Sequence, residues 1–346
     1  MSVTPDVQTE EAAQAKAPAR RRGRPRSELH PGERRLGLTL ILPTIVLLAI
    51  VIGYPVVRAI IMSFQKDPGL DPATGLFVTG GNAGFSNYSH WLLEQCKSPS
   101  GQVAHCPPGT LGGQFWDSMF VTIFFTICTV VLEVVLGMWM AIVMNRAFTG
   151  RALLRASVLV PWAIPTAVTA KLWYFIFAYA GIANHILGTH ILWTGGAWAS
   201  RFAVIIADVW KTTPFIALLI LAGLQVIPAD VYEAARVDGA GAWQRFTRVT
   251  LPLVRPALIV AILFRVLDVL RIYDLPAILT GGGGGTGHAT TTLSILVVDQ
   301  IRQGFNSAAA LSTITFLFIF LVAFIFVKFL GANVVQTQQR QQKGAL

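Results

Sequence analysis

Apolar residues arrive in this chain as six long blocks, separated by polar connections that carry glycine and proline. The blocks run approximately over 36–64, 115–144, 152–178, 200–226, 254–279 and 307–330. Each exceeds the ~18 residues that mark a membrane-crossing helix, and each as a helix traverses ~30 Å of hydrocarbon. Within the blocks the apolar positions are continuous rather than alternating, which excludes membrane β-strands. The pattern predicts an all-α membrane protein with six transmembrane helices. The first block follows a basic stretch, as a signal peptide would. Its apolar core is too long for one and no small-x-small site follows cleanly, so an uncleaved anchor is expected.

Composition agrees with that pattern. Of 346 residues 54% are hydrophobic and 13% charged, whereas soluble domains carry about 25% charged residues. A soluble enzyme and a disordered scaffold are excluded. The formal charge of +10 raises the question of nucleic acid, and its distribution answers it. With the N-terminus inside, eighteen Lys and Arg fall in the inner segments and four in the outer ones. The positive-inside rule then makes both termini cytoplasmic. The expected organisation is a disordered basic tail over 1–35, a six-span domain over 36–330, and a cytoplasmic tail over 331–346. The domain includes an outer loop, 65–114, and a cytoplasmic loop, 227–256. Arg22-Gly23-Arg24-Pro25 is like a DNA minor-groove arm. Membrane topology already demands this charge, so anionic lipid is the expected partner and nucleic acid is not.

Candidate chemistry is sparse. Three cysteines and six histidines form no metal-binding spacing, so no metal is expected. Cys128 lies in an apolar run, whereas Cys96 and Cys106 share the outer loop, where an oxidising compartment permits them to pair. The run Gly281–Gly285 lacks the Lys and Ser or Thr of a phosphate loop, and reads as a flexible outer turn. Charges inside the spans are more informative, because each is costly in lipid. They include Arg58, Glu133, Lys171, Asp208, Lys211, Arg265, Asp268, Arg271 and Asp274. On the fifth span, Asp268 stands three residues from both Arg265 and Arg271, within reach of either on neighbouring turns. Asp208 and Lys211 repeat that spacing on the fourth. Such charges suit the polar wall of a pathway open to the outside; internal ion pairing and snorkelling are the structural alternative. Tyr273 is a further candidate on that path, and Trp173 and Trp210 are candidates for stacking on a sugar ring.

The most specific feature is the inner loop between the fourth and fifth blocks, Glu233-Ala234-Ala235-Arg236-Val237-Asp238-Gly239-Ala240, followed by Phe246, Leu251-Pro252 and Pro256. Pro228 and Asp230 start a short helix, Gly239 ends or bends it, and Pro252 restarts the chain toward the fifth span. Its offsets resemble the EAA loop of bacterial ABC importer permeases. Asn145-Arg146, Gly150-Arg151 and Arg155, then Pro161 and Pro165, are similar to the carbohydrate-importer permeases of the maltose and glycerol-phosphate type. So are Gly181, Asn184 and Leu187; Gly223-Leu224-Gln225 and Pro228; and Arg265, Asp268, Arg271, Tyr273-Asp274 and Leu279 to Gly282. Gly283 departs from the pattern, which places a proline there. The likeness covers about 30–330 and is strongest to permeases of mycobacterial trehalose importers.

The resemblance implies a type I ABC importer permease in the bacterial inner membrane, forming half of a disaccharide pathway, with trehalose as cargo. It implies no catalysis and no cofactor in this chain. ATP and Mg would be bound by a pair of partner ATPases, the other partners being a second permease and an extracytoplasmic sugar-binding lipoprotein or soluble protein. Glu233, Ala234, Ala235, Asp238, Gly239 and Ala240 would form the coupling helix seated in the ATPase. The alternatives are another sugar or glycerol phosphate as cargo, or a proton-driven carrier using Glu133, Asp208, Asp268 or Asp274. A carrier has no use for an EAA loop.

Overall fold

A computed structural model describes residues 31–70, 75–97, 102–284 and 287–328. The tail over 1–35, save its last five residues, and the tail over 331–346 lie outside the described residues. The chain divides into two compact units, Met1–Val56 and Val57–Leu346. In the first, the described residues form α1 (Pro31–Leu48) and a π turn, Ala49–Gly53. Its large apolar side chains from Leu36 to Ile52 are exposed.

Helix α2 (Tyr54–Ser63) starts in the last three residues of the first unit and ends in the second, where it leads into the 65–114 loop. Hairpin β1 (Gly69–Leu70) and β2 (Phe77–Val78), helix α3 (Ser86–Leu92), and hairpin β3 (Gln95–Lys97) and β4 (Val103–His105) follow. After these come α4 (Phe115–Asn145), α5 (Arg151–Ala163), α6 (Thr166–Ile176), α7 (Ile182–Leu187) and α8 (Ala197–Gln225). The remainder is α9 (Ala229–Val237), α10 (Ala242–Arg245), α11 (Leu251–Val269), α12 (Asp274–Thr280), α13 (Leu293–Ile301) and α14 (Phe305–Phe326). Among the described residues five helical stretches are long and apolar enough to cross a membrane, or six if the bent pair α5 and α6 counts as one.

Two predicted spans are broken, and proline is the reason in both. The third, expected over 152–178, bends by 91° between α5 and α6. Pro165 has no N–H to continue the ladder and pushes Ile164 into extended backbone, φ −72° and ψ 131°. The fifth, expected over 254–279, stops at Val269 and resumes at Asp274. Pro276 cannot bond the Ile272 carbonyl, and the Thr292 hydroxyl donates to that carbonyl instead at 2.9 Å. At its other end the fifth span starts earlier than the restart expected at Pro252, because helix runs on from Ala242 through a π turn, Phe246–Thr250. Prolines 55 and 252 each stand two residues after such a turn, whose wider winding accommodates a missing donor.

The core is built on α4, α8 and α11. Gly223 of α8 lets α11 approach closely: a Cβ there would stand 2.5 Å from Ala257 Cβ and 3.0 Å from Val254 Cγ2. Small residues serve this purpose in membranes, where packing must supply what the hydrophobic effect does not. On α4 the buried hydroxyls of Thr122 and Thr126 return their protons to the preceding turn, to the Ser118 and Thr122 carbonyls.

The 65–114 loop is tied to the last helix. Asp67 accepts from the backbone N–H groups of Asn306 at 2.6 Å and Ser307 at 3.0 Å, capping α14. Trp91, fully buried, donates to the Ser307 carbonyl at 3.1 Å. Cys96 and Cys106 are joined as a disulfide. His90 lies beside it with Nδ1 2.8 Å from the Gln95 carbonyl. With both sulfurs bonded to each other, this His–Cys–Cys group offers a metal no thiolate.

Gly223→Val should force α8 and α11 apart. Overpacking of this kind costs ~1–3 kcal/mol, so the purified variant should unfold at a distinctly lower temperature, whereas Gly37→Val, which meets nothing within 4 Å, should not.

Candidate functional site

Three helices bring charge into the core. On α8, residues 208, 211 and 212 share one face by their three- and four-residue spacing; α4 contributes Glu133, and α11 contributes Arg265 and Asp268. The guanidinium of Arg265 is the hub. Its Nε donates to Glu133 Oε2 at 2.6 Å, its Nη1 to Asp268 Oδ2 at 2.5 Å, and its Nη2 to Asp208 Oδ2. Arg265, Glu133 and Asp208 are buried, while the Asp268 side chain is 60% exposed. One rigid, five-donor cation thereby joins three helices and reaches the surface through its third carboxylate.

Two polar side chains extend the layer. Thr212 Oγ1 lies 2.5 Å from Glu133 Oε1 and 2.6 Å from the Asp208 carbonyl. Lys211 Nζ donates to the Ile164 carbonyl at 2.8 Å, at the bend where Ile164 turns to extended backbone and its carbonyl leaves the helical ladder. A cation at the C-terminal end of α5 also opposes the partial negative charge there.

The expected pairings are therefore redrawn. Of the two arginines within its reach, Asp268 takes Arg265: α11 ends at Val269, Arg271 is exposed, and among the described residues Asp268 pairs with Arg265 alone. Asp208 pairs with Arg265 rather than Lys211, whose ammonium is turned to a carbonyl. Tyr273 is half-buried and Asp274 exposed at the start of α12. Trp210 meets Trp173 edge to face at 5.7 Å, and Trp173 stacks on Phe177 at 5.1 Å, so aromatic neighbours already engage both rings. Trp210 also lines an apolar groove with Trp139, Pro161 and Pro214. Glu133 and Thr212 are the partners that sequence reasoning left unassigned to the hub. The available signal for Glu133 was its place as an acid far from either end of a 31-residue apolar helix.

A second site is the 227–256 loop. Pro228, at φ −62° and ψ 144°, starts α9, which buries none of its residues. Glu233, Ala234, Asp238 and Gly239 are exposed, and Ala235 and Ala240 half-exposed. Gly239 adopts φ +76°, a left-handed conformation that suits glycine. The Ala240 N–H then closes back on the Ala235 carbonyl at 3.0 Å. Arg245 Nη1 donates to the Ala240 carbonyl at 2.7 Å, and Tyr232 and Thr250 join their hydroxyls at 3.2 Å. The loop is a preformed, exposed helix and turn. The glycine run, by contrast, is held where it is described: Thr290 and Thr291 both donate to the Gly282 carbonyl, at 3.0 and 2.9 Å.

A family model for the binding-protein-dependent transport system inner membrane component matches residues 133–336, which contain both sites. Over 308 residues the chain is 38% identical to the trehalose/maltose transport system permease protein MalF of Thermococcus litoralis, covering 87% of this chain and 96% of that one. It is 37% identical over 303 residues to the trehalose transport system permease protein SugA of Mycobacterium tuberculosis, covering 87% and 90%. Similarity extends to the sulfoquinovosyl glycerol transport system permease protein SmoG of Agrobacterium fabrum, 34% identical over 292 residues, covering 81% and 85%. A solved bacterial ABC transporter involved in the import of alginate shares the fold. Its TM-score is 0.64 at 21% identity, over 88% of this chain and 96% of that one.

Arg265→Gln should strip the buried carboxyls of their common partner and cost ~3–5 kcal/mol, with Arg265→Gln plus Asp208→Asn recovering part of the loss. Asp268→Asn, at the exposed arm, should cost ~1 kcal/mol or less. Thermal unfolding of the purified variants measures the order; equal loss in Asp268→Asn and Arg265→Gln would contradict the hub.

Proposed function

The chain belongs to the family of binding-protein-dependent transport system inner membrane components, and from that premise we propose that it forms half of an import pathway for trehalose. It is a sugar-importer permease, a transport subunit of the inner membrane and not an enzyme. The trehalose reading is supported by two relatives named for that sugar at 37–38% identity. The pathway would cross the membrane six times with the α5–α6 pair as one span and both termini in the cytoplasm.

The observation that carries the mechanism is the exposed α9 loop and its place in the chain. It directly joins α8, which holds Asp208, to the helix that continues into α11, which holds Arg265. Seated in a partner ATPase, Glu233 through Ala240 would receive the movement of ATP-driven closure and pass it to both sides of the polar layer. The partners in this reading are two ATPase subunits that bind ATP and Mg, a second permease, and an extracytoplasmic sugar-binding protein. The exposed Asp268, Arg271 and Asp274, with the half-buried Tyr273, would offer the passing sugar acceptors and donors in place of lost water. A phosphorylated cargo fits less well, because carboxylates surround the buried guanidinium.

In a strain lacking the chromosomal copy, this chain should restore uptake of labelled trehalose over other labelled disaccharides and glycerol phosphate. Glu233→Lys and Gly239→Pro should abolish that uptake at unchanged membrane level, since proline cannot adopt the φ of +76° found at Gly239. Normal uptake by both variants would refute the coupling role, and restoration of a different sugar would refute the cargo.

A further inference from the structure

We propose that Glu133 is a buried proton-binding site, present in the folded chain as a neutral carboxylic acid that donates its proton to Thr212. Two inventories at the site require that proton, and neither depends on the import reading.

The first counts hydrogens. Thr212 Oγ1 has one proton and stands within hydrogen-bond distance of two oxygens, Glu133 Oε1 at 2.5 Å and the Asp208 carbonyl at 2.6 Å. A hydroxyl donates once and accepts otherwise. The carbonyl carries no proton, so the hydroxyl donates there, as the neighbouring Thr213 does to Val209. The remaining contact then needs a proton on Glu133 Oε1. Its other oxygen, Oε2, accepts from Arg265 Nε at 2.6 Å, as the carbonyl oxygen of an acid does. Arg265 Nε–H, the Glu133 Oε1–H and the Thr212 Oγ1–H then each have an acceptor.

The second inventory counts charge. The charged groups of the layer are Asp208 and Lys211 on α8 and Arg265 and Asp268 on α11. Helices α5 and α13 also pack on α4, but among the described residues they bring it no ion pair; Arg155 of α5 is bonded to the Met144 carbonyl. Asp268 is 60% exposed, so water meets its charge, and Lys211 is turned to the Ile164 carbonyl. In direct contact inside the core, the Arg265 guanidinium faces two buried carboxyls, Glu133 and Asp208, and one proton balances them where charge is most costly. The proton belongs to Glu133 because the Thr212 hydroxyl stands at its Oε1 to accept it.

Isotope-edited infrared spectroscopy of the full chain in lipid bilayers at neutral pH tests the site. Glutamate labelled with 13C at its carboxyl should shift a protonated-carboxyl band that labelled aspartate leaves in place. Among the described residues Glu133 is the only buried glutamate. Thr212→Val should keep the band and raise its frequency, because the acid loses its acceptor, and Glu133→Gln should abolish it. Absence of a glutamate-sensitive band in the wild type, or its persistence in Glu133→Gln, overturns the proposal; the wild-type spectrum decides even where a variant fails to fold. Linkage gives a second readout. A proton held by the folded chain and released on unfolding makes stability fall as pH rises, by up to about tenfold in the folding equilibrium per pH unit. Glu133→Gln should lose that slope, and an equal slope in both proteins counts against the site.

Discussion

Burying the Arg265 guanidinium sets the terms for the helices around it. A charge in a water-poor layer must be met by partners from other segments, and those partners then fix where their own helices stand. Glu133 holds α4 to the hub and Asp208 holds α8, while Asp268 carries the hub outward from α11 itself. Close approach of these helices depends on small residues such as Gly223 beside Ala257. Packing and charge thus constrain the same three helices.

The same accounting extends to the backbone. Where prolines 165 and 276 interrupt helices, a carbonyl at each break has no helical donor, and each is answered from a distant element: Ile164 by Lys211, and Ile272 by Thr292. A broken span in hydrocarbon is tolerable on these terms, since irregular backbone survives there only when protein groups replace water. Lys211 is part of the layer's charge and also the donor that holds a bend, so the polar layer and the kinked span form one connected arrangement.

How much of this was legible in the sequence followed the range of each interaction. Apolar blocks marked the second, fourth and sixth spans closely, because hydropathy is a local signal. The breaks were not read, since residues 164 and 270–273 lie within runs that are apolar overall, and a proline within a span permits either a kink or a stop. The α9 loop was legible as a motif of fixed offsets, with Gly239 marking the turn. Cys96 and Cys106 were legible as neighbours in one loop. The hub was only half legible: the three-residue spacing of Arg265 and Asp268 is local, but nothing local relates residue 265 to 133 or 208. The same local rule misdirected Asp208 toward Lys211.

The cap on α14 has a consequence in time. Asp67 and Trp91 are synthesised early, yet their partners at 306 and 307 lie 239 and 216 residues further on. During synthesis these two side chains must wait, with the outer loop unfastened, until nearly the whole chain has left the ribosome and the last helix has entered the membrane. Fastening of the cap is therefore a late assembly event. A chain truncated before Asn306 would present an open outer loop with an unmatched aspartate and an uncovered tryptophan, features by which quality-control proteases can distinguish an unfinished protein from a finished one.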